Sequence, residues 1–237
     1  MRRISMLLLA LLMLAGCSRQ EYYVDIYETA MTESTAQTEI TEPSAALETT
    51  PQEQMLPESD DAFVRVLDYI PTACQELMYA TQNNFTGQRI YDFEDTYLRW
   101  GTVKKLQLVC ADLEEMGLYI KIWDGFRPVS AQFTLWEVYP DPTYVANPNK
   151  GFSSHSRGNT IDLTLVDAQG NELEMPTAFD DFSARADRDY SDCTEAAANN
   201  ARILEIFMEK HGFSGYAGEW WHFSDTVNYP VEKEFEP

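Results

Sequence analysis

The chain has 237 residues, 39 of them acidic and 17 basic, with three histidines and a formal charge of −22. At roughly 100–200 residues per domain this length allows one full domain with appendages, and an apolar content of 44% excludes wholesale disorder. So acidic a chain is a poor match for phosphate backbones or anionic lipid, so no nucleic-acid partner is expected; its four cysteines include no Cys-x-x-Cys pair, which excludes a zinc ribbon.

Arg2 and Arg3 precede an apolar run from Met6 to Leu14, which is followed by Ala15-Gly16-Cys17. A short basic region, a brief apolar core and small residues before a cut site make a secretory signal over residues 1–16. The run is too short to span a bilayer, which takes about 20 residues. Cys17 after Ala-Gly resembles a bacterial lipobox, implying cleavage before Cys17 and lipid on its thiol. Acyl chains hold a protein to a membrane at about 0.8 kcal/mol per buried methylene. The expected location is therefore outside the cytoplasm, anchored to the membrane through Cys17. Residues 17–58 read as a disordered acidic tether: positions 18–58 carry nine acidic residues against Arg19 and are rich in Thr, Ser and Ala. Residues 59–237 are the expected single folded domain.

Within that domain Phe63 to Ile70 alternates in part and suggests an opening strand, and Pro71 to Ala80 has helix-compatible apolar spacing. Asn83 to Gly87 is a turn. Leu106, Val109, Leu113 and Met116 predict a helix over 104–116, with Gly117 just past its end. Leu118 to Trp123 reads as a strand, and the helical pattern resumes from Pro128 to Val138. Thr160 to Val166 is the cleanest strand, with Ile161, Leu163 and Leu165 on one face and Thr160, Asp162 and Thr164 on the other. Thr194 is a candidate cap for a helix running to His211, with Gly212 after it. Residues 215–223 are aromatic and strand-like. Helices and strands mix without regular alternation, which points to an α+β fold.

Asp162 lies mid-strand, opposite three aliphatic side chains, where a carboxylate is costly unless it is wet, paired or metal-bound. His155 lies seven residues earlier, an odd separation that in a straight strand puts two side chains on opposite faces, so Arg157-Gly158-Asn159 must supply a bend. His222 is a third candidate ligand from a separate strand. Two histidines and an aspartate suit zinc and leave a fourth position open for water. Glu219 lies three residues before His222, a spacing that a helical turn or a bulged strand would bring to one side. A carboxylate there could move a proton between water and a leaving amine. Arg127, in Trp123-Asp124-Gly125-Phe126-Arg127-Pro128, could stabilise charge on a carbonyl oxygen. Trp220 and Trp221 read as core, and His211 as a structural residue at a helix end.

Taken together these segments resemble the VanX-type D-alanyl-D-alanine dipeptidases, a branch of the zinc D,D-peptidases. The run from Ser154 to Leu165 carries that family's His-x-x-Gly-x-x-x-Asp core, Glu219-Trp220-Trp221-His222 its Glu-x-x-His signature, and Trp123 to Pro128 resembles its catalytic-arginine motif. Tyr79-Ala80-Thr81 and Phe179-Asp180-Asp181-Phe182 resemble substrate-side stretches. The likeness spans about residues 62–228.

The resemblance implies a small, mainly antiparallel sheet flanked by helices. It implies one zinc per chain held by His155, Asp162 and His222, with Glu219 as general base and acid and Arg127 stabilising the tetrahedral intermediate. Asp180, Ser154 and Tyr79 would contact the substrate, D-Ala-D-Ala or a related wall peptide, with Asp180 meeting its free amine. Resistance-type dipeptidases act on a cytoplasmic pool that an exported chain cannot reach, so turnover or scavenging of wall peptides fits better. Two other readings stay open: a D,D-carboxypeptidase trimming longer stem peptides, and a non-catalytic module that binds them. Of the cysteines after Cys17, Cys110 falls on the inner side of a helix; Cys74, Cys110 and Cys193 allow at most one disulfide.

Overall fold

A computed structural model describes residues 56–142 and 144–237. Cys17, the signal segment 1–16 and nearly all of the tether lie outside the described residues. The strands are β1 (Phe63–Arg65), β2 (Cys74–Gln75), β3 (Tyr97–Arg99), β4 (Tyr119–Asp124), β5 (Thr160–Val166), β6 (Phe213–Tyr216) and β7 (Glu219–Asp225). Among the described residues three α-helices accompany them: α1 (Trp100–Glu114), α2 (Val129–Val138) and α3 (Glu195–Lys210). Five strands form one sheet in the order β2-β4-β5-β7-β6, antiparallel except for the β2–β4 pair. β1 and β3 make a separate antiparallel ribbon. This is the α+β architecture that the mixed element pattern implied.

β5 sits at the centre and is buried along its whole length, with the bounds its alternation predicts. Cross-strand register sorts its two faces. Ile122 lies opposite Leu163, Ile120 opposite Leu165 and Phe223 opposite Ile161, which makes one apolar face. Helices α1 and α3 pack against each other, α1 also against β4 and α3 against β5, β6 and β7. Burying each such aliphatic side chain contributes about 1.5–3 kcal/mol. On the other face Asp162 lies opposite His222 on one side and Asp124 on the other. The register slips by one residue between Ile122 and Asp124, and this bulge at Trp123 turns Asp124 toward the polar face.

Helix α3 starts where the capping residue says it should: Thr194 Oγ1 accepts a hydrogen bond from Ala197 N at 3.1 Å. Helix α1 begins four residues before the expected Lys104, and its terminus passes into Gly117 as anticipated. Two expectations need correction. The segment 71–80 is not a helix. Cys74 and Gln75 are drawn onto the open edge of β4, Glu76 N donates to Ile122 O at 2.8 Å, and only Met78–Ala80 form a 3₁₀ turn. That turn inserts Tyr79 and Ala80 into a second core with Tyr91, Leu135 and Val145. The opening strand is also shorter than its alternation suggested, because Val66–Asp68 coil into a 3₁₀ turn. Residues 215–223 fold as the β6–β7 hairpin rather than as one strand.

Cys74, Cys110 and Cys193 are all free thiols. Cys110 is buried, and burial pushes its thiol up to about 12, which makes it an inert core residue. Among the described residues no helix is long and apolar enough to cross a membrane.

Candidate active site

Three polar side chains converge on the open face of the sheet. Ser154–Arg157 form a 3₁₀ turn that Ser153 caps, its Oγ accepting from His155 N at 3.3 Å. Gly158 then turns the chain into β5 with φ +74°, and a Cβ there would strike the Phe63 ring at 2.4 Å. This is the bend that the odd His155–Asp162 spacing required. His155 Nδ1 is held 2.8 Å from Gly125 O, so the carbonyl fixes the tautomer and leaves Nε2 free for a ligand. Nε2 lies 3.3 Å from Asp162 Oδ2 and 3.4 Å from His222 Nδ1. His222 Nδ1 lies 2.9 Å from Asp162 Oδ1.

The ligand atoms of His155, Asp162 and His222 all fall within 4.8 Å of one another. Asp162 Oδ1 is buried and receives no well-aligned hydrogen bond from the described residues, although His222 Nδ1 lies 2.9 Å away. Such an oxygen is costly unless a cation meets it. Burial works against ionisation of Asp162, but the two histidines outweigh it and hold the carboxyl well below its usual range. A buried carboxylate and two ring nitrogens with one side open are a donor set that suits zinc.

Glu219 opens β7 and places Oε2 3.5 Å from His222 Nδ1. The spacing works through a bulge: Gly215 pairs with Phe223 and Tyr216 with Glu219, so residues 220–222 have no partner on β6. Burial, aided by Asp162 and opposed by His222, raises the Glu219 carboxyl above its ordinary value. A raised carboxyl is better matched to accepting a proton near neutral pH.

Arg127 is buried, and its guanidinium is held on three sides. Nη2 donates to Asp124 Oδ2 at 2.6 Å, Nη1 to Gln132 Oε1 at 2.9 Å and Nε to Tyr91 Oη at 3.1 Å. Guanidinium carries five N–H groups, so two remain for the cleft that Arg127 lines. Its partners are themselves fixed. Asp124, fully buried, accepts from Tyr91 Oη at 2.7 Å and Gly125 N at 2.8 Å, and Gln132 donates to Ala146 O. Sequence reasoning missed Tyr91, Asp124 and Gln132. Only Asp124 left a signal, as a carboxylate ending an alternating strand beside the arginine motif.

The expected substrate-side residues also line this cleft of about 260 Å³. Ser154 Oγ lies 3.4 Å from His222 Nε2. Tyr79 packs its ring under the Arg127 guanidinium and spends its hydroxyl on Asp180 Oδ2 at 2.8 Å. Asp180 adopts φ +55°, uncommon for a residue other than glycine. Burial pushes the Asp180 carboxyl up to about 8; the Tyr79 hydrogen bond opposes this, Asp162 and Glu219 add to it, and Arg127 counters them. Trp220 and Trp221 are core, as expected, with Trp220 Nε1 donating to Thr177 Oγ1. His211 closes α3 against Asp112, away from the cleft.

An unfolded aspartate ionises near pH 3.9. Between about pH 4 and pH 8 the folded protein therefore holds a proton at Asp180 that the unfolded chain has lost, so stability falls as pH rises through that window. In the metal-free protein, the gain in melting temperature from Asp180→Asn should grow from pH 4.5 to pH 8.5, by about 2–4 °C for each kcal/mol in a domain of this size. A gain that stays flat across the series would show that Asp180 is not the group responsible, because relief of backbone strain alone does not depend on pH.

A buried His–Asp–His donor set, a carboxylate within reach of one ligand and an anchored arginine define the centre of a metal-dependent hydrolase. The chain belongs to the D-ala-D-ala dipeptidase family, whose model matches residues 60–236. Among its relatives, the D-alanyl-D-alanine dipeptidase of Escherichia coli is 38% identical over 158 residues, covering 66% of this chain and 81% of the relative. That of Enterococcus faecalis is 35% identical over 165 residues, covering 61% and 82%. Among solved structures, the vancomycin-resistance D,D-dipeptidase VanXYg bound to a D-Ala-D-Ala phosphinate analog aligns over 69% of this chain and 66% of its own, at 17% identity and a TM-score of 0.37.

Proposed function

We propose that the chain is a zinc-dependent D-Ala-D-Ala dipeptidase acting outside the cytoplasm on free wall-derived dipeptide. The carrying observation is that His155, Asp162, His222, Glu219, Arg127 and Asp180 all line one cleft. The name shared by the relatives supports the substrate class. The Arg2-Arg3 start, the apolar run from Met6 to Leu14 and Cys17 after Ala15-Gly16 support a signal over residues 1–16, lipid on Cys17, an acidic tether over 17–58 and a catalytic domain over 59–237, and with them export and anchoring.

In this reading His155, Asp162 and His222 hold the ion, and the chemistry it supplies when bound is Lewis-acid activation of water and of the scissile carbonyl. Glu219 takes the proton as water attacks and later delivers it to the departing amine. The water oxygen ends in the new carboxylate as the C–N bond breaks. The two free N–H groups of Arg127 face the charge that grows on the carbonyl oxygen. Because Asp124, Tyr91 and Gln132 already fix the guanidinium, little reorganisation is needed as that charge forms. Asp180 meets the substrate ammonium, its own proton passing to solvent as the ion pair forms, and Tyr79 steadies its carboxylate.

The test compares kcat/KM on free and N-acetylated D-Ala-D-Ala. A site built around an amine rejects the blocked substrate by more than the lost bond, so a preference of about 10²-fold or more for the free dipeptide is expected. Equal rates would instead indicate a D,D-carboxypeptidase, and no turnover of either a binding module. In bacterial cells expressing the full chain, Cys17→Ser should release the protein from the membrane fraction; unchanged membrane retention would refute the lipid anchor.

A further inference from the structure

The β6–β7 hairpin lacks a ladder where the site most needs one. Between the pairs Gly215–Phe223 and Tyr216–Glu219, residues 220–222 have no partner on β6, and pairing with β5 runs only from Ser224 to His222. His222 and Glu219 therefore sit at the edges of an unsupported stretch. Arg188 occupies the gap. Its Nη2 donates to His222 O at 2.9 Å, its Nε to Tyr216 O at 2.8 Å, and its backbone N to Ala217 O at 3.2 Å.

The rest of the side chain is packed more loosely, and Nη1 is buried without a hydrogen-bond partner among the described residues. The guanidinium carbon stands 4.3 Å over the Phe223 ring, Nη1 lies 3.8 Å from Glu205 Oε1, and the side chain is 10% exposed. The strand makes room for it: a Cβ on Gly215 would lie 2.3 Å from the guanidinium carbon. A planar fork can bridge two carbonyls at once, which a lysine ammonium on a flexible stem does poorly.

We propose that Arg188 is a positioning residue: by bridging the Tyr216 and His222 carbonyls across the bulge, it holds the His222 ring and Glu219 in place against Asp162. This rests on the metal reading above. Outer partners of a metal ligand typically change affinity by about 10–100-fold when lost.

The experiment measures zinc affinity by chelator competition, and kcat and KM on D-Ala-D-Ala at saturating zinc. Four proteins are compared: the parent, Arg188→Lys, Gly215→Ala and Glu205→Gln. Arg188→Lys keeps the charge but loses the bridge, and Gly215→Ala displaces the guanidinium with Arg188 intact. Both should lose about 10–100-fold in zinc affinity and show lower kcat with little change in KM. Glu205→Gln removes the ionic partner, leaves the bridge and should bind zinc like the parent. Parental zinc affinity in both bridge variants, whatever their melting temperatures, would overturn the role. So would an equal loss in Glu205→Gln, or failure of both bridge variants to fold, since each would make Arg188 a general stabiliser. A parent that binds no zinc would instead refute the metal reading itself.

Discussion

Glu219→Ala is expected to keep its fold and its zinc and to lose hydrolysis by about 10²–10⁴-fold, the usual contribution of a positioned acid–base group. Several observations lead to this. The carboxylate stands 3.5 Å from His222 Nδ1 yet is not one of the three clustered donors, so removing it leaves the ligand set intact. Its raised proton affinity comes largely from burial, which suits a group that must accept a proton and return it. The side chain is 30% exposed at the start of β7, so truncation opens no cavity in the core. Circular dichroism and metal analysis, read beside the turnover rate, separate the chemical role from a structural one. A variant that turns over like the parent would remove Glu219 from the mechanism, and one that loses zinc as well would make it a ligand.

His155→Ala and His222→Ala are expected to lose both stoichiometric zinc and all measurable turnover. Each removes one of the three clustered donors, and the two that remain are too few for a site with three protein ligands and one open position. Full zinc retention in both variants would place the metal elsewhere.

How much of this was legible in the sequence depends on how local the cause is. β5 was readable to the residue because its alternation is strict and a central strand buries both faces. Helix α3 was readable because Thr194 caps it by a contact three residues away. The candidate donor triad was legible as chemistry: a mid-strand aspartate has to be wet, paired or metal-bound, and two histidines stood in recognisable motifs. The segment 71–80 was misread as a helix because its apolar spacing cannot reveal that the edge of β4 stands open to capture Cys74 and Gln75. The cradle of Arg127 was invisible for a similar reason: Tyr91 lies 36 residues away and meets it only through the fold. The contacts of Arg188 were invisible for the same reason: the Tyr216 and His222 carbonyls that it meets lie 28 and 34 residues further along the chain. Asp180 was legible as a candidate, whereas its left-handed backbone and its bond to Tyr79 were not.

The most direct test of the account is to strip the protein of metal and titrate zinc back while following hydrolysis of D-Ala-D-Ala. One site built from His155, Asp162 and His222 predicts no activity in the stripped protein and a linear rise to full activity at one zinc per chain. Activity that persists without metal, or that needs two equivalents, would contradict it.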